Sequence, residues 1–316
     1  MGFDSDWGPA VTSIAAQRRR RALTRFWGQF RHDRAGMAGL IILAFFVLVA
    51  ILAPFLIPPE ALDVTKATGE RFDPPSLAYP LGTDEDGRSI LVLLAYGTRI
   101  SLTVGLAATL VAMVIGTAVG IMAGHFRGIG SHALVGVTDW FLVIPFLPLA
   151  IVLATVLGPS TLNLIVVIGI TSWAGTARLI RAQTLSIEGR PYMERSKALG
   201  AGNWHQMTRH VLPNVFPLVL ANTTLTVAIV ILSETTLSFL GLGDPLAPSW
   251  GAILDSAFST GAVSQGAWWY VLPPGICVVL VVLSFTLVGR AMERIVEGRQ
   301  AGRLGRPDGG QEVSTA

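Results

Sequence analysis

ERSKALGAGNWHQMTRHVLP, residues 194–213, is a polar stretch set between two long apolar runs, and the rest of the chain reads as its carrier. Glu194–Leu199 is helix-compatible. Gly200 stands where such a helix would stop, because a left-handed position just past a helix end costs glycine little. Gly202 adds a second flexible position, and Asn203 reads as the N-cap of a new helix. Trp204, Met207, His210 and Val211 recur at spacings of three and four, so one side of that helix is largely apolar. Pro213 breaks the pattern and opens the next segment. The expectation is a short helix, a tight glycine turn and a short amphipathic helix lying on a membrane surface between two spanning helices. By local physics alone, an ordinary membrane loop would read the same way.

Composition places the chain in its class. Hydrophobic residues make up 52% of 316 and charged residues 14%, with a mean hydropathy of +0.59. Length alone would favour two domains, but this balance describes an all-α, polytopic membrane protein whose core is helix packing in lipid. The single cysteine, Cys277, lies in an apolar run, so no internal disulfide can form and the residue reads as a small buried apolar group. The net charge of +3 reflects arginine placement. No basic patch interleaves with aromatics in a soluble segment, so nothing points to nucleic acid.

Taken in order, residues 1–35 form a basic tail with Arg18–Arg21 in a run, able to meet anionic headgroups or simply to hold this end in the cytoplasm. Residues 36–57 read as a retained first span, too long for a signal-peptide core and ended by Pro54, Pro58 and Pro59. Residues 58–97 are a proline-rich extracytoplasmic segment. Residues 98–289 hold five further spans: about 98–124, 132–157 (kinked at Pro145 and Pro148), 161–181, 214–239 and 271–289. The polar loop, 190–213 at its widest, falls between the fourth and fifth spans, and residues 290–316 form a polar tail expected to be disordered beyond about residue 300. Trp268, Trp269 and Tyr270 read as an interfacial aromatic belt.

Lysine and arginine set the orientation. Seven lie in the N-terminal tail, one in the second connection, six from Arg178 to Arg209 and five in the C-terminal tail, against four on the other side. That asymmetry puts both termini and the 194–213 loop on the cytoplasmic side, and richness in alanine, glycine and arginine with two lysines suggests a bacterial membrane.

Three groups invite chemistry. Gly82 and Gly87 bracket Asp84, Glu85 and Asp86, which suit a helix N-terminus. As a metal site the trio is discounted, since carboxylates adjacent in sequence are not expected to converge and no histidine lies near. Asp139 and Glu234 are intramembrane carboxylates and so functional candidates by default, both near span ends, where Asp139 fits a packing or interfacial role. The two lysines, Lys66 and Lys197, do not follow glycine, so no phosphate-binding loop exists and the chain hydrolyses no nucleotide. The five histidines show no metalloprotease spacing, and His205 and His210 read as contact residues. No catalytic residue, metal or cofactor is indicated.

The loop resembles the EAA loop of ABC importer permeases: Glu-Ala-Ala, three residues, Gly, nine residues, then a hydrophobic residue, any residue and Leu-Pro. Glu194, Gly200, Leu212 and Pro213 fall at that spacing. Arg195 and Ser196 replace the usual alanines, and His210 a common isoleucine. PLGTDEDGR followed by YGTRISLTVGL, together with LSFLGLG after Glu234 and the KALGAG and HVLPN forms, is similar to the C-type permease of dipeptide/oligopeptide importers. The likeness covers about residues 25–298. It implies a six-span type I importer permease that pairs with a homologous permease, works with two cytoplasmic ATPases and receives cargo from an extracytoplasmic binding protein. It further implies that the loop is the ATPase-coupling element, carried by Glu194, Ala198, Leu199, Gly200, Ala201, Gly202, Asn203, Trp204, Met207, His210, Leu212 and Pro213. The substrate-binding residues stay unassigned. Other cargo such as nickel chelates or haem, an ion-coupled transporter, and a non-transporting scaffold remain as alternatives.

Overall fold

The computed structural model describes Thr24 and residues 27–304, with side chains as far as Ile295. The Arg18–Arg21 run and the tail beyond Leu304 lie outside the described residues. Those described are mostly helical, with only an isolated bridge between Thr83 and Ser89 in place of any strand.

Five helical stretches are long and apolar enough to cross a membrane, and one bent pair supplies a sixth crossing if counted as one span. Helix α1 spans Arg34–Leu56, where the Asp33 carboxylate caps it by accepting from the Gly36 amide at 3.0 Å. Helix α2 is Ile90–His125, 36 residues and so about 54 Å long. It begins well before the expected Thr98 and packs against α1 and, most extensively, against three later helices. These are α5 (Thr161–Thr171), α6 (Ala174–Glu188) and α9 (Leu212–Leu237).

The expected kinked third span is instead two helices, α3 (Ile129–Val143) and α4 (Phe146–Leu157), turned 91° from each other. Pro145 accounts for the break. It drives the preceding Ile144 to an extended φ/ψ of −71°/127° and then caps α4 from outside. Pro148 lies in the first turn of α4, where a missing amide costs nothing, and so makes no kink.

The segment before α2 folds on itself around Asp84. Gly82 and Gly87 take the left-handed conformation expected of tight turns, at φ +71° and +78°. Asp84 does not cap a helix; Ser89 is the N-cap position of α2. Its Oδ1 accepts from the amides of Asp86 and Arg88, at 3.0 and 2.7 Å, and its Oδ2 accepts from Arg88 Nε at 2.7 Å. The oxygens of Asp84, Glu85 and Asp86 do converge, lying within 4.8 Å of one another, because the Asp-type turn curls the backbone under them. Both Asp84 oxygens are already occupied by the turn and by Arg88.

Residues 241–268 contain a tenth helix, α10 (Trp250–Ser259), capped by the Ser249 hydroxyl. The last helix, α11 (Trp268–Leu304), runs past the expected end of span six and ties back to α1 through Arg294 and Asp33 at 2.6 Å. Trp268 is exposed as a belt residue should be, but Tyr270 is buried in the main apolar cluster with Phe46, Ile90, Leu93 and Trp250. The aromatic run thus serves packing as well as the interface.

One close approach governs the middle of the fold. Gly116, Gly120 and Gly124 lie on one stripe of α2, facing α6. A Cβ added at Gly120 would sit 2.6 Å from the Ala177 carbonyl, and one at Gly124 would sit 2.7 Å from Thr184 Cβ. Glycine at four-residue spacing lets two helix backbones touch, the arrangement that replaces hydrophobic drive inside lipid. Along this stripe the α2–α6 pair is packed backbone against backbone.

Candidate functional site

The 190–213 loop hangs from the end of this pair. Pro191 opens helix α7 (Pro191–Ala198) at a position where its lost amide is harmless. The helix ends in a Schellman motif. The Ala201 amide bonds the Ser196 carbonyl at 3.1 Å, the Gly200 amide bonds the Lys197 carbonyl at 2.9 Å, and Gly200 sits at φ +79°. Gly200 is thus the left-handed turn expected of it. Arg195 points outward and Ser196 contributes a backbone carbonyl, so neither departure from alanine disturbs the packing, which rests on fully buried Met193.

The second half departs from expectation in two ways. Gly202, extended at ψ 159°, is the N-cap, and Asn203 is the first residue of α8 (Asn203–His205). The amphipathic helix is not separate. It runs through a π-helical stretch, Gln206–Val211, into α9, so that the 40 residues Asn203–Leu242 form one helical rod broken only near its end, at Gly241 with φ +76°. Pro213 lies inside that rod. The wider π register before it accommodates the missing amide, and π-turns recur in helices for such reasons.

The predicted apolar face also divides. Val211 is fully buried and Met207 and His210 half-buried, held over a small core of Ile121, Ile180, Ile187, Met193 and Val215. Trp204 turns the other way, 76% exposed, and Leu199 is 87% exposed. Glu194, Ala198, Gly200, Gly202, Asn203, Leu212 and Pro213 are exposed as well, and Ala201 is half-buried. A firmly capped turn thus presents two large apolar side chains to the exterior.

Two residues outside the loop hold it. His125, last in α2, places Nδ1 2.6 Å from Glu188 Oε1 and Nε2 3.3 Å from Asn203 Oδ1. Lys197 Nζ donates to the other Glu188 oxygen at 2.5 Å. His125 and Glu188 side chains are nearly buried, at 3% and 9% exposure, while Lys197 is 40% exposed. No sequence pattern flags this group, since His125 and Glu188 stand 63 positions apart.

The two intramembrane carboxylates lie in different settings. Asp139 is exposed, makes no ion pair among the described residues, and borders a cavity of about 110 Å³ with Thr138, Arg178 and Arg181. Glu234 is fully buried. It accepts from Ser238 Oγ at 2.9 Å and Ser101 Oγ at 3.2 Å, and Ser101 Oγ in turn accepts from the Trp250 amide at 3.3 Å. It therefore joins α2, α9 and α10 at the end opposite the loop. An apolar groove of about 750 Å³ runs between α2 and α9, past Met113, Met122, Phe216 and Leu220, to Trp204.

The described residues thus form a bundle of long apolar helices that carries an apolar-tipped loop at the end of its α2–α6 pair. Residues 116–301 match the model of the binding-protein-dependent transport system inner membrane component, and residues 22–75 match that of the N-terminal TM domain of oligopeptide transport permease C. The chain is 34% identical over 269 residues to the dipeptide transport system permease protein DppC of Bacillus subtilis (strain 168), covering 84% of this chain and 82% of that one. It is 34% identical over 278 residues to the oligopeptide transport system permease protein OppC of Lactococcus lactis subsp. cremoris (strain SK11), covering 87% and 94%. It is 31% identical over 268 residues to the glutathione transport system permease protein GsiD of Pectobacterium atrosepticum, covering 84% and 87%. A chain of the MetNI methionine ABC transporter in an inward-facing conformation superposes with a TM-score of 0.53 at 22% identity, covering 66% of this chain and 97% of that one, a likeness of fold alone. The chain belongs to the binding-protein-dependent transport system inner membrane component family, the permease subunits of ABC importers.

Proposed function

We propose that this chain is the C-type permease of an ATP-driven importer of di- or oligopeptides, with both termini and the 190–213 loop in the cytoplasm. It forms the pathway with a homologous permease, takes cargo from an extracytoplasmic binding protein, and leaves ATP hydrolysis to two partner ATPases. The observation that carries the coupling role is the exposed pair Leu199 and Trp204, held on a Schellman-capped turn at the end of the α2–α6 pair. Large apolar groups exposed on a rigid polar loop fit a protein cleft. The excess of lysine and arginine on the loop side supports the orientation. Peptide cargo rests on the names of the relatives, at 31–34% identity.

The test is a mild-detergent pull-down of the tagged chain from its native membrane. A second permease and one or two ATPases should co-purify. Trp204→Glu and Leu199→Glu should retain the second permease and lose the ATPases, because neither side chain supports the fold. Capture of the chain alone would overturn the importer reading. Unchanged ATPase recovery in both variants would overturn the docking role. Competition of uptake by unlabelled peptides then checks the cargo.

A further inference from the structure

We propose that His125, Glu188 and Lys197 form an ionic clasp that makes the 190–213 loop move as one body with the α2–α6 pair, and that this clasp sets how much transport each ATP drives. The inference rests on the permease reading above and names positioning residues that the docking surface does not include.

Three elements meet at one carboxylate, and a fourth joins through His125. Glu188 is the last residue of α6 and His125 the last of α2. Lys197 belongs to α7, and Asn203 opens α8. Glu188 spends one oxygen on His125 at 2.6 Å and the other on Lys197 at 2.5 Å, while the far nitrogen of His125 reaches Asn203 at 3.3 Å. The loop is thus gripped on both sides of its glycine turn, by Lys197 before Gly200 and by Asn203 after it. Directly behind the clasp, Gly116, Gly120 and Gly124 hold α2 against α6 with no room for a Cβ. Force applied at Leu199 and Trp204 therefore reaches two spanning helices through the bonds to Glu188, which are charge-assisted and stronger than neutral ones, and through the longer His125–Asn203 contact. Without the clasp, the loop would still rest on its core through Met193 and Val211. The backbone between Gly189 and Gly202 could then yield at its two glycine-rich joints before the spans moved.

The clasp has a contrast inside the same loop. Arg190, Arg195 and Arg209 form no ion pair among the described residues, so the loop's cations are not indiscriminately paired. The one lysine that is paired is the one that crosses from the loop to a spanning helix.

The experiment uses the whole importer in proteoliposomes with a dipeptide as probe, together with hydrogen exchange of the permease. Glu188→Gln and Lys197→Ala are compared with wild type and with Lys197→Arg. In the first two, the ATPases should stay bound, exchange of the 190–205 amides should rise, and peptide imported per ATP hydrolysed should fall about fivefold or more, the low end of typical coupling. Lys197→Arg should restore the wild-type ratio. Unchanged loop exchange in both variants would overturn the clasp. Faster exchange with an unchanged import-to-hydrolysis ratio would overturn its role in coupling. If Glu188→Gln is recovered unfolded, Lys197→Ala decides, since that side chain lies at the surface. A wild-type chain that binds no ATPase would overturn the importer reading instead, and loop exchange alone would then decide whether the clasp exists.

Discussion

The two ends of α2 are fastened in opposite ways. At one end, Ser101 joins Glu234, Ser238 and the Trp250 amide in a knot from which solvent is wholly excluded and in which no cation takes part. At the other, His125 joins Glu188, Lys197 and Asn203 in a clasp that is charged on both sides and opens to water at Lys197. A dry knot gains strength from low dielectric but penalises any missing partner severely. A wet-edged ionic clasp can lose a member and be solvated instead. The knot therefore belongs to the permanent architecture, and the clasp to the part that can be loaded and released. In the proposed orientation, the permanent end faces the binding protein and the releasable end faces the ATPases.

The strongest way to break this contrast is Ser101→Leu. The change removes the acceptor of the buried Trp250 amide, at roughly 1–3 kcal/mol, and leaves Glu234 Oε2 with the long 3.5 Å contact from Thr235 while Ser238 still serves Oε1. It also overfills a site with no exposed surface. A loss of about 3 kcal/mol or more is expected, read as thermal unfolding in detergent, with uptake falling only in proportion to the folded protein that remains. A well-folded Ser101→Leu chain that hydrolyses ATP without transporting would mean that the knot, too, is a coupling device.

Gly120→Leu comes next and sharpens the contrast from the loop side. Its side chain would press on the Ala177 carbonyl and on Ile180 Cβ, 2.6 and 2.8 Å from an added Cβ. Separating α2 from α6 should cost about 1–3 kcal/mol. Because the stripe leads straight to His125, exchange of the 190–205 amides should rise along with the lost stability. Lost stability with a loop that stays protected would show that the clasp does not depend on the close approach of the helices.

Much of this was legible in the residues, and the misses have physical causes. The spans were legible because apolar length is a strong signal in lipid. Gly200 was legible because a left-handed turn after a helix has few chemical solutions. Pro213 read as a break because proline usually is one, but Val211 and Val215 anchor that rod to α2 and α6, and a π register absorbs the defect. Asn203 missed its cap role by one position because the preceding glycine could take the extended conformation itself. Periodicity put Trp204 and Val211 on one face, yet it cannot separate a side turned to the chain's own bundle from one left for a partner. The 91° break at Pro145 exceeds what a kinking proline predicts, because Ile144 also leaves the helix. His125 and Glu188 carried no local pattern and are joined only by the fold.

The smallest expected effect tests whether a half-buried charge at the rim adds to the firmness of the far end. Asp244 lies just past the rod, where it accepts from the Thr161 amide at 3.2 Å, the Thr161 hydroxyl at 2.9 Å and the Leu246 amide at 3.0 Å. Partial burial pushes its pKa up, but the bonds from Leu246 and Thr161 outweigh that and hold the carboxyl below its ordinary value of 3.8. A lowered folded value means that the ionised form is the stabilising one. Its contribution is complete above the unfolded value and disappears as pH falls through the lower folded value. After solvent screening it amounts to well under about 1 kcal/mol. Asp244→Asn should therefore unfold only slightly below wild type at neutral pH, and the two melting curves should merge once the pH drops beneath the usual carboxylate range. A deficit at neutral pH as large as that of Ser101→Leu would place the strength of this end in its rim and not in the buried knot. A deficit that persisted unchanged into strong acid would show that Asp244 acts through shape and not through charge.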